Sequence, residues 1–76
     1  MKAFVLIQLK ECDETKVLDD LKKLEQVKEA NILFGEWDII IKVEIENPED
    51  LGRFMIESIR TMNEIKLTSS MIVAKS

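Results

Sequence analysis

The sequence has no histidine, no tyrosine, one cysteine, one proline, one tryptophan and two glycines among its 76 residues. Each shortage excludes something. Without histidine the chain lacks the commonest zinc ligand and the usual proton-transfer group near neutral pH. Metal binding would fall to Asp and Glu alone, and no calcium-loop spacing is present, so "DETKVLDD" reads as a solvated helix face. The lone Cys12 cannot close an internal disulfide or form a redox or metal pair, and it has no histidine to activate it. It reads as a small residue near a strand end. No glycine-rich phosphate loop appears, and no cofactor is indicated. No apolar run approaches the roughly 18 residues of a membrane span and no signal peptide is evident, so the chain is expected to be soluble and cytoplasmic. Basic charge is also short, with 11 Lys and Arg against 15 Asp and Glu and a net charge of -4. The lysines between Lys2 and Lys23 alternate with acids and make no stripe, so direct nucleic-acid binding is not expected.

What is present is a globular composition, 46% hydrophobic and 34% charged. A domain this short buries only about 60% of its unfolded surface, so association is expected from length alone. "AFVLIQL", residues 3–9, is an apolar run rich in β-formers and reads as a strand. Residues 14–26 carry Val17, Leu18, Leu21 and Leu24 at helical spacing, with Asp13 as N-cap. Residues 28–34 and 37–46 read as strands joined by a two-residue turn in which Gly35 takes the positive φ. Residues 47–62 read as a second helix, capped by Asn47 with Pro48 in its first turn, and with Leu51, Phe54, Met55, Ile59 and Met62 on one face. Residues 64–74 read as a fourth strand.

The order βαββαβ is the split-βαβ, ferredoxin-like α+β arrangement. Right-handed crossovers put the first and third strands at the centre of a four-stranded antiparallel sheet, with the second and fourth at its edges. Alternation assigns Val5, Ile7, Ile39, Ile41 and Val43 to the face beneath the two helices. The opposite parity brings Phe4, Leu6, Ile40 and Ile72 to the other face, with Leu33 or Ile32. That cluster is too apolar to leave in water, and a sheet-to-sheet dimer is expected. An RNA-recognition module shares the topology, but it needs aromatics backed by basic residues on this face, and only Phe4 could serve.

"FGEWDIII", residues 34–41, sets two carboxylates around the only tryptophan just before three isoleucines. Hairpin chemistry accounts for it in one way: Gly35 turns the chain, Glu36 is exposed, and Trp37 and Asp38 begin a strand. Ligand chemistry accounts for it in another. Backbone N–H groups freed by a glycine, an indole wall and a carboxylate suit a small zwitterion.

Residues 30–74, from "ANILFGEWDIII" through "ESIRTMNEIKLTSS" to the last strand, resemble the effector-binding half of the leucine-responsive regulatory protein (Lrp/AsnC) family, the RAM domain. The first βαβ half resembles it by pattern alone. The resemblance implies a dimer of the dimeric α+β barrel type, further assembly into rings of dimers such as an octamer or decamer, and an amino-acid effector bound between dimers. It makes Gly35, Trp37 and Asp38, with the intervening Glu36, and Thr68, Ser69 and Ser70 the candidate effector site. Phe34 stands where many members carry Thr or Ser, and Trp37 replaces the usual Tyr or Phe. With the first strand starting at Ala3, the family's helix-turn-helix is absent from this sequence. The expectation is therefore a stand-alone, non-enzymatic sensor domain in transcription or amino-acid metabolism, with full-length Lrp/AsnC regulators as candidate partners. Two rivals remain: a small enzyme of the dimeric α+β barrel type, and a purely structural assembly domain.

Overall fold

In a computed structural model describing residues Met1–Ser76, alternation along the first strand decides the architecture. Within β1, Lys2–Leu9, Ala3, Val5 and Ile7 are fully buried while Phe4, Leu6 and Gln8 are only half-buried. β1 pairs antiparallel with both β3, Ile39–Glu44, and β4, Ile65–Ile72, while β2, Val27–Ile32, pairs with β3. The sheet order β2-β3-β1-β4 is the one expected from right-handed crossovers, with β1 and β3 central. No helix is long and apolar enough to cross a membrane.

Helix α1, Glu14–Lys22, starts where Asp13 accepts hydrogen bonds from the Thr15 and Lys16 amides at 3.1 and 3.2 Å. It ends before the expected residue 26, because two tight turns, Leu24 N–H to Leu21 and Val27 N–H to Leu24, hand the chain to the buried Val27. Helix α2, Pro48–Phe54, starts at Asn47, whose side chain accepts from the Asp50 amide at 3.0 Å. It then widens into a π turn, Met55–Ile59, closed by Arg60 N–H to the Met55 carbonyl at 2.8 Å. Apolar periodicity predicts one regular helix here. Phe54, Met55 and Ile59 are buried on the core side of this segment, as they would be on one face of a regular helix.

The core lies between the helices and one sheet face. Val5, Ile7, Ile39, Ile41 and Val43 meet Val17 and Leu21 of α1 and Leu51, Phe54, Met55 and Ile59 of the second helical segment. No polar side chain is buried among them. The other face has no covering layer: Phe4, Leu6 and Ile40 stand beside a Glu29–Lys42 ion pair of 3.5 Å.

Two expectations are corrected by the backbone. First, no two-residue turn joins β2 to β3: pairing stops at Ile32↔Ile39, and the loop 33–38 is closed by Leu33 N–H to the Asp38 carbonyl at 2.8 Å. Gly35 does take the positive φ, at 134°. Second, Ile72 pairs with Ala3 and so lies on the helix side at the sheet edge, 38% exposed, whereas Met71 pairs with Phe4 and Leu67 with Gln8 on the open face. A bulge at Lys66 lets Ile65 pack against the core while Leu67 faces away from it.

Gly52 sits inside α2 with an ordinary negative φ, and a Cβ there would meet nothing within 4 Å. Gly52→Ala is expected to raise stability by about 0.5–1 kcal/mol through reduced backbone entropy in the unfolded chain. Urea denaturation at fixed protein concentration checks it, and a loss of stability would contradict the open space seen there.

Candidate functional site

The loop 33–38 projects from the end of the sheet where β1 runs out. Phe34 is fully exposed at 107%, Gly35 and Glu36 are exposed, and Trp37 and Asp38 are half-buried. The Asp38 amide donates to the Ile7 carbonyl at 2.9 Å, the last rung between β3 and β1. Its carboxylate Oδ2 then accepts from the Leu9 amide at 2.7 Å. In a continuing ladder a β3 carbonyl would meet that N–H; the chain has turned away, and the side chain stands in. Gln8 Nε2 donates to the Glu36 carbonyl at 3.0 Å and ties the loop to β1. The other carboxylate oxygen of Asp38 makes no hydrogen bond within the chain and remains free for a ligand donor.

Asp38 also borders a cleft of about 200 Å³ with Leu9, Lys10, Glu11, Cys12 and Glu14. Partial burial pushes the Cys12 thiol above the usual cysteine range, and the nearby carboxylates of Glu64, Glu14, Asp13 and Asp38 push it further. A thiol held protonated is a poor nucleophile, which agrees with its reading as a packing residue. No group of three or more His, Cys, Asp or Glu side chains is placed to hold a metal ion.

The hydroxyl residues of β4 do not join the loop within one chain. Thr68 and Ser70 pair with Ile7 and Val5 and therefore face the helix side, whereas Ser69 pairs with Leu6 on the open face. Thr68 and Ile39 flank Ile7 in the same row, about 10 Å apart as two interstrand spacings. Fully buried Ile7 and Ile39 fill the helix side of that row. Gly35, Glu36, Trp37 and Asp38 are thus brought together, and the Thr68–Ser70 run is not brought to them.

Residue patterning gave no role to two side chains that the structure places beside these elements, Gln8 and Arg60. Gln8 carries a faint signal, a polar residue at an open-face position of an otherwise apolar strand. Arg60 belongs to the "ESIRTMNEIKLTSS" stretch that carries the resemblance but has no role from it; it lines two clefts beside β4, one with Ile65, Lys66, Leu67 and Thr68 and one with Gly52, Ile56 and Ser70.

A four-stranded antiparallel sheet with helices on one face, an apolar open face and a polar glycine–tryptophan–aspartate loop at one end makes this a ferredoxin-like domain of α+β architecture. The chain belongs to the Lrp/AsnC ligand binding domain family, which it matches over residues 2–76. It is 34% identical over 73 residues to an HTH-type transcriptional regulator of Pyrococcus furiosus, covering 92% of this chain and 49% of that protein. The HTH-type transcriptional regulator FL11 of Pyrococcus abyssi is 32% identical over 76 residues, covering 100% of this chain and 50% of that one. Among solved structures, AsnC of E. coli superposes with a TM-score of 0.91 at 33% identity, covering 99% of this chain and 51% of AsnC. FFRP-DM1 superposes with a TM-score of 0.89 at 42% identity, covering 95% of this chain and 96% of that one. The chain spans about half the length of the curated relatives it matches. The domain is a regulatory ligand-binding domain and not an enzyme.

The Leu9 contact generates a prediction. Asp38→Ala, which leaves the Leu9 N–H without its acceptor, is expected to lower stability by about 1–3 kcal/mol, and Asp38→Asn, which keeps an acceptor, to recover most of it. Denaturant titration of both variants checks this, and equal stability of the two would remove the capping role.

Proposed function

We propose that this domain senses an amino acid and assembles through its sheet, acting in the cytoplasm on transcription or amino-acid metabolism through regulators with which it associates. The observation that carries the reading is the loop 33–38. Gly35 at φ 134° leaves backbone donors accessible, and one oxygen of Asp38 is held by Leu9 while the other is free. In this reading the free oxygen takes the effector's ammonium, the glycine N–H takes its carboxylate, and Trp37 forms the wall. Glu36 borders the loop, and Thr68, Ser69 and Ser70 of a neighbouring copy supply further hydrogen bonds. The separation of those hydroxyls from Asp38 within one chain supports a site completed by assembly.

The open face supports a dimer. Phe4, Leu6, Ile40 and Met71 line it with no layer above them, and in a chain of 76 residues that area is a large share of what can be buried. Ile72, which lies on the helix side, takes no part in the central contact. Rings of dimers and mixed assembly with full-length Lrp/AsnC regulators follow in this reading. A second reading, an assembly domain with no effector, is favoured by one observation: Gly35 and Asp38 already serve the turn and the end of the ladder.

A thermal-shift screen against the common amino acids separates the two. An effector at a hundred times its dissociation constant adds about 2.7 kcal/mol, which moves the midpoint of so small a domain by several degrees. Asp38→Asn keeps the Leu9 acceptor but not the charge, so the shift is expected to vanish while the fold stays. No shift with any amino acid, at fixed protein concentration, would favour the pure assembly reading. Ile40→Lys, placed at the centre of the open face, is expected to give monomers in sedimentation equilibrium. A dimer unchanged by that charge would sink the sheet-to-sheet contact.

A further inference from the structure

The β4 edge of the sheet carries a second feature, of which the effector reading uses only the hydroxyls of Thr68 and Ser70. Two clefts, of about 290 and 310 Å³, run between the second helical segment and β4 and share Arg60 as a common wall. Around Arg60 and Lys66 they hold the hydroxyls of Thr68 and Ser70 and an apolar stretch of Leu51, Met55 and Ile56. No carboxylate lines either cleft, although the chain has 15 acids against 11 bases. The ion pairs of the protein engage Lys16, Lys23, Lys42, Arg53 and the Met1 ammonium, and neither Arg60 nor Lys66 takes part in one. Thr68 and Ser70 make no side-chain hydrogen bond within the chain.

Gly52 supplies an independent observation. It lines the second of these clefts, its φ is ordinary, and its missing Cβ would meet only open space, so nothing in the fold requires a glycine there. A helix interior normally pays about 0.5–1 kcal/mol for glycine instead of alanine. What the glycine does provide is depth: a methyl group at this position would project into that cleft beside the exposed side chain of Ile56.

We propose that these two clefts, which adjoin at Arg60, together form a binding site, within one copy of the chain, for a small aliphatic carboxylate. The guanidinium of Arg60 receives the carboxylate through paired N–H donors, a geometry suited to its planar fork, with Lys66 adding charge and Thr68 and Ser70 adding hydroxyl donors. The aliphatic part lies over Gly52 against Leu51, Met55 and Ile56. None of the loop 33–38 lines these clefts; the site shares Thr68 and Ser70 with the effector reading and differs from it in taking its carboxylate on Arg60.

The test is an amide-resolved NMR titration of the ¹⁵N-labelled protein with sodium isovalerate, at ionic strength held constant with chloride. Saturable shifts are expected at residues 52–60 and 66–70, with none from isovaleramide, which has the same shape and no charge. Arg60→Gln is expected to weaken isovalerate binding at least about tenfold, the loss of one charge-assisted pair. Arg53→Gln, on the same helix but paired with Asp50 and outside the groove, is expected to bind as the unaltered protein does. Gly52→Ala should bind more weakly while folding more stably, an outcome that damage to the fold cannot mimic. Equal shifts from isovaleramide, unchanged binding by Arg60→Gln, or shifts confined to residues 34–39 would each overturn the proposal. Inorganic phosphate binding at the same residues more tightly than isovalerate would also overturn it, by making the groove an oxyanion site with no use for its apolar wall. An amino-acid response mapped to the loop in a protein whose groove stays silent would leave the effector reading intact.

Discussion

Burial of one row of side chains holds this protein together. Ala3, Val5 and Ile7 point from the central strand into the helix layer, where Ile39, Ile41 and Val43 flank them and Val17, Leu21, Phe54 and Ile59 close over them. No buried polar side chain interrupts that layer. Because strand side chains alternate, burying one parity of β1 fixes the other parity outward, and Phe4 and Leu6 have nowhere to go but the open face. The apolar open face is therefore the direct counterpart of the core. The proposed assembly of the domain and its folding would draw on the same two-residue period.

That period explains how far the sequence could be read. Element order, the central placement of β1 and β3, both helix caps and the helix-facing set from Val5 to Val43 follow from apolar spacing and capping chemistry, which are local. Ile72 escapes a parity count because the face of an edge strand depends on its register with β1, and a bulge at Lys66 breaks the simple alternation. The hairpin was drawn too tight for a similar reason. Trp37 and Asp38 have the composition of a strand, but the Asp38 carboxylate outcompetes the ladder by taking the Leu9 N–H itself. The π turn is illegible in principle from periodicity, since Leu51, Phe54, Met55 and Ile59 share one face of a regular helix as well.

The candidate site was legible by half. "GEWD" could be singled out because a glycine with positive φ, an indole and a carboxylate are distinctive within four positions. The remoteness of Thr68 and Ser70 from it was hidden, since it arises from which side of an edge strand each residue takes. Arg60 was hidden for another reason. An arginine near a helix end looks like any solvated cation until the clefts that it lines are seen.

The two edges of the sheet are unlike. Along β2, Lys28 sits at a bulge and Glu29 follows it, so a second strand approaching that rim meets charge and a broken hydrogen-bond spacing. Along β4, the stretch from Leu67 to Ile72 has no charge and no proline. A sheet guarded on one rim and open on the other can be lengthened from one side alone. Two copies meeting rim to rim through β4 would present only guarded rims to a third, so such growth would stop at a pair instead of running on as a fibre.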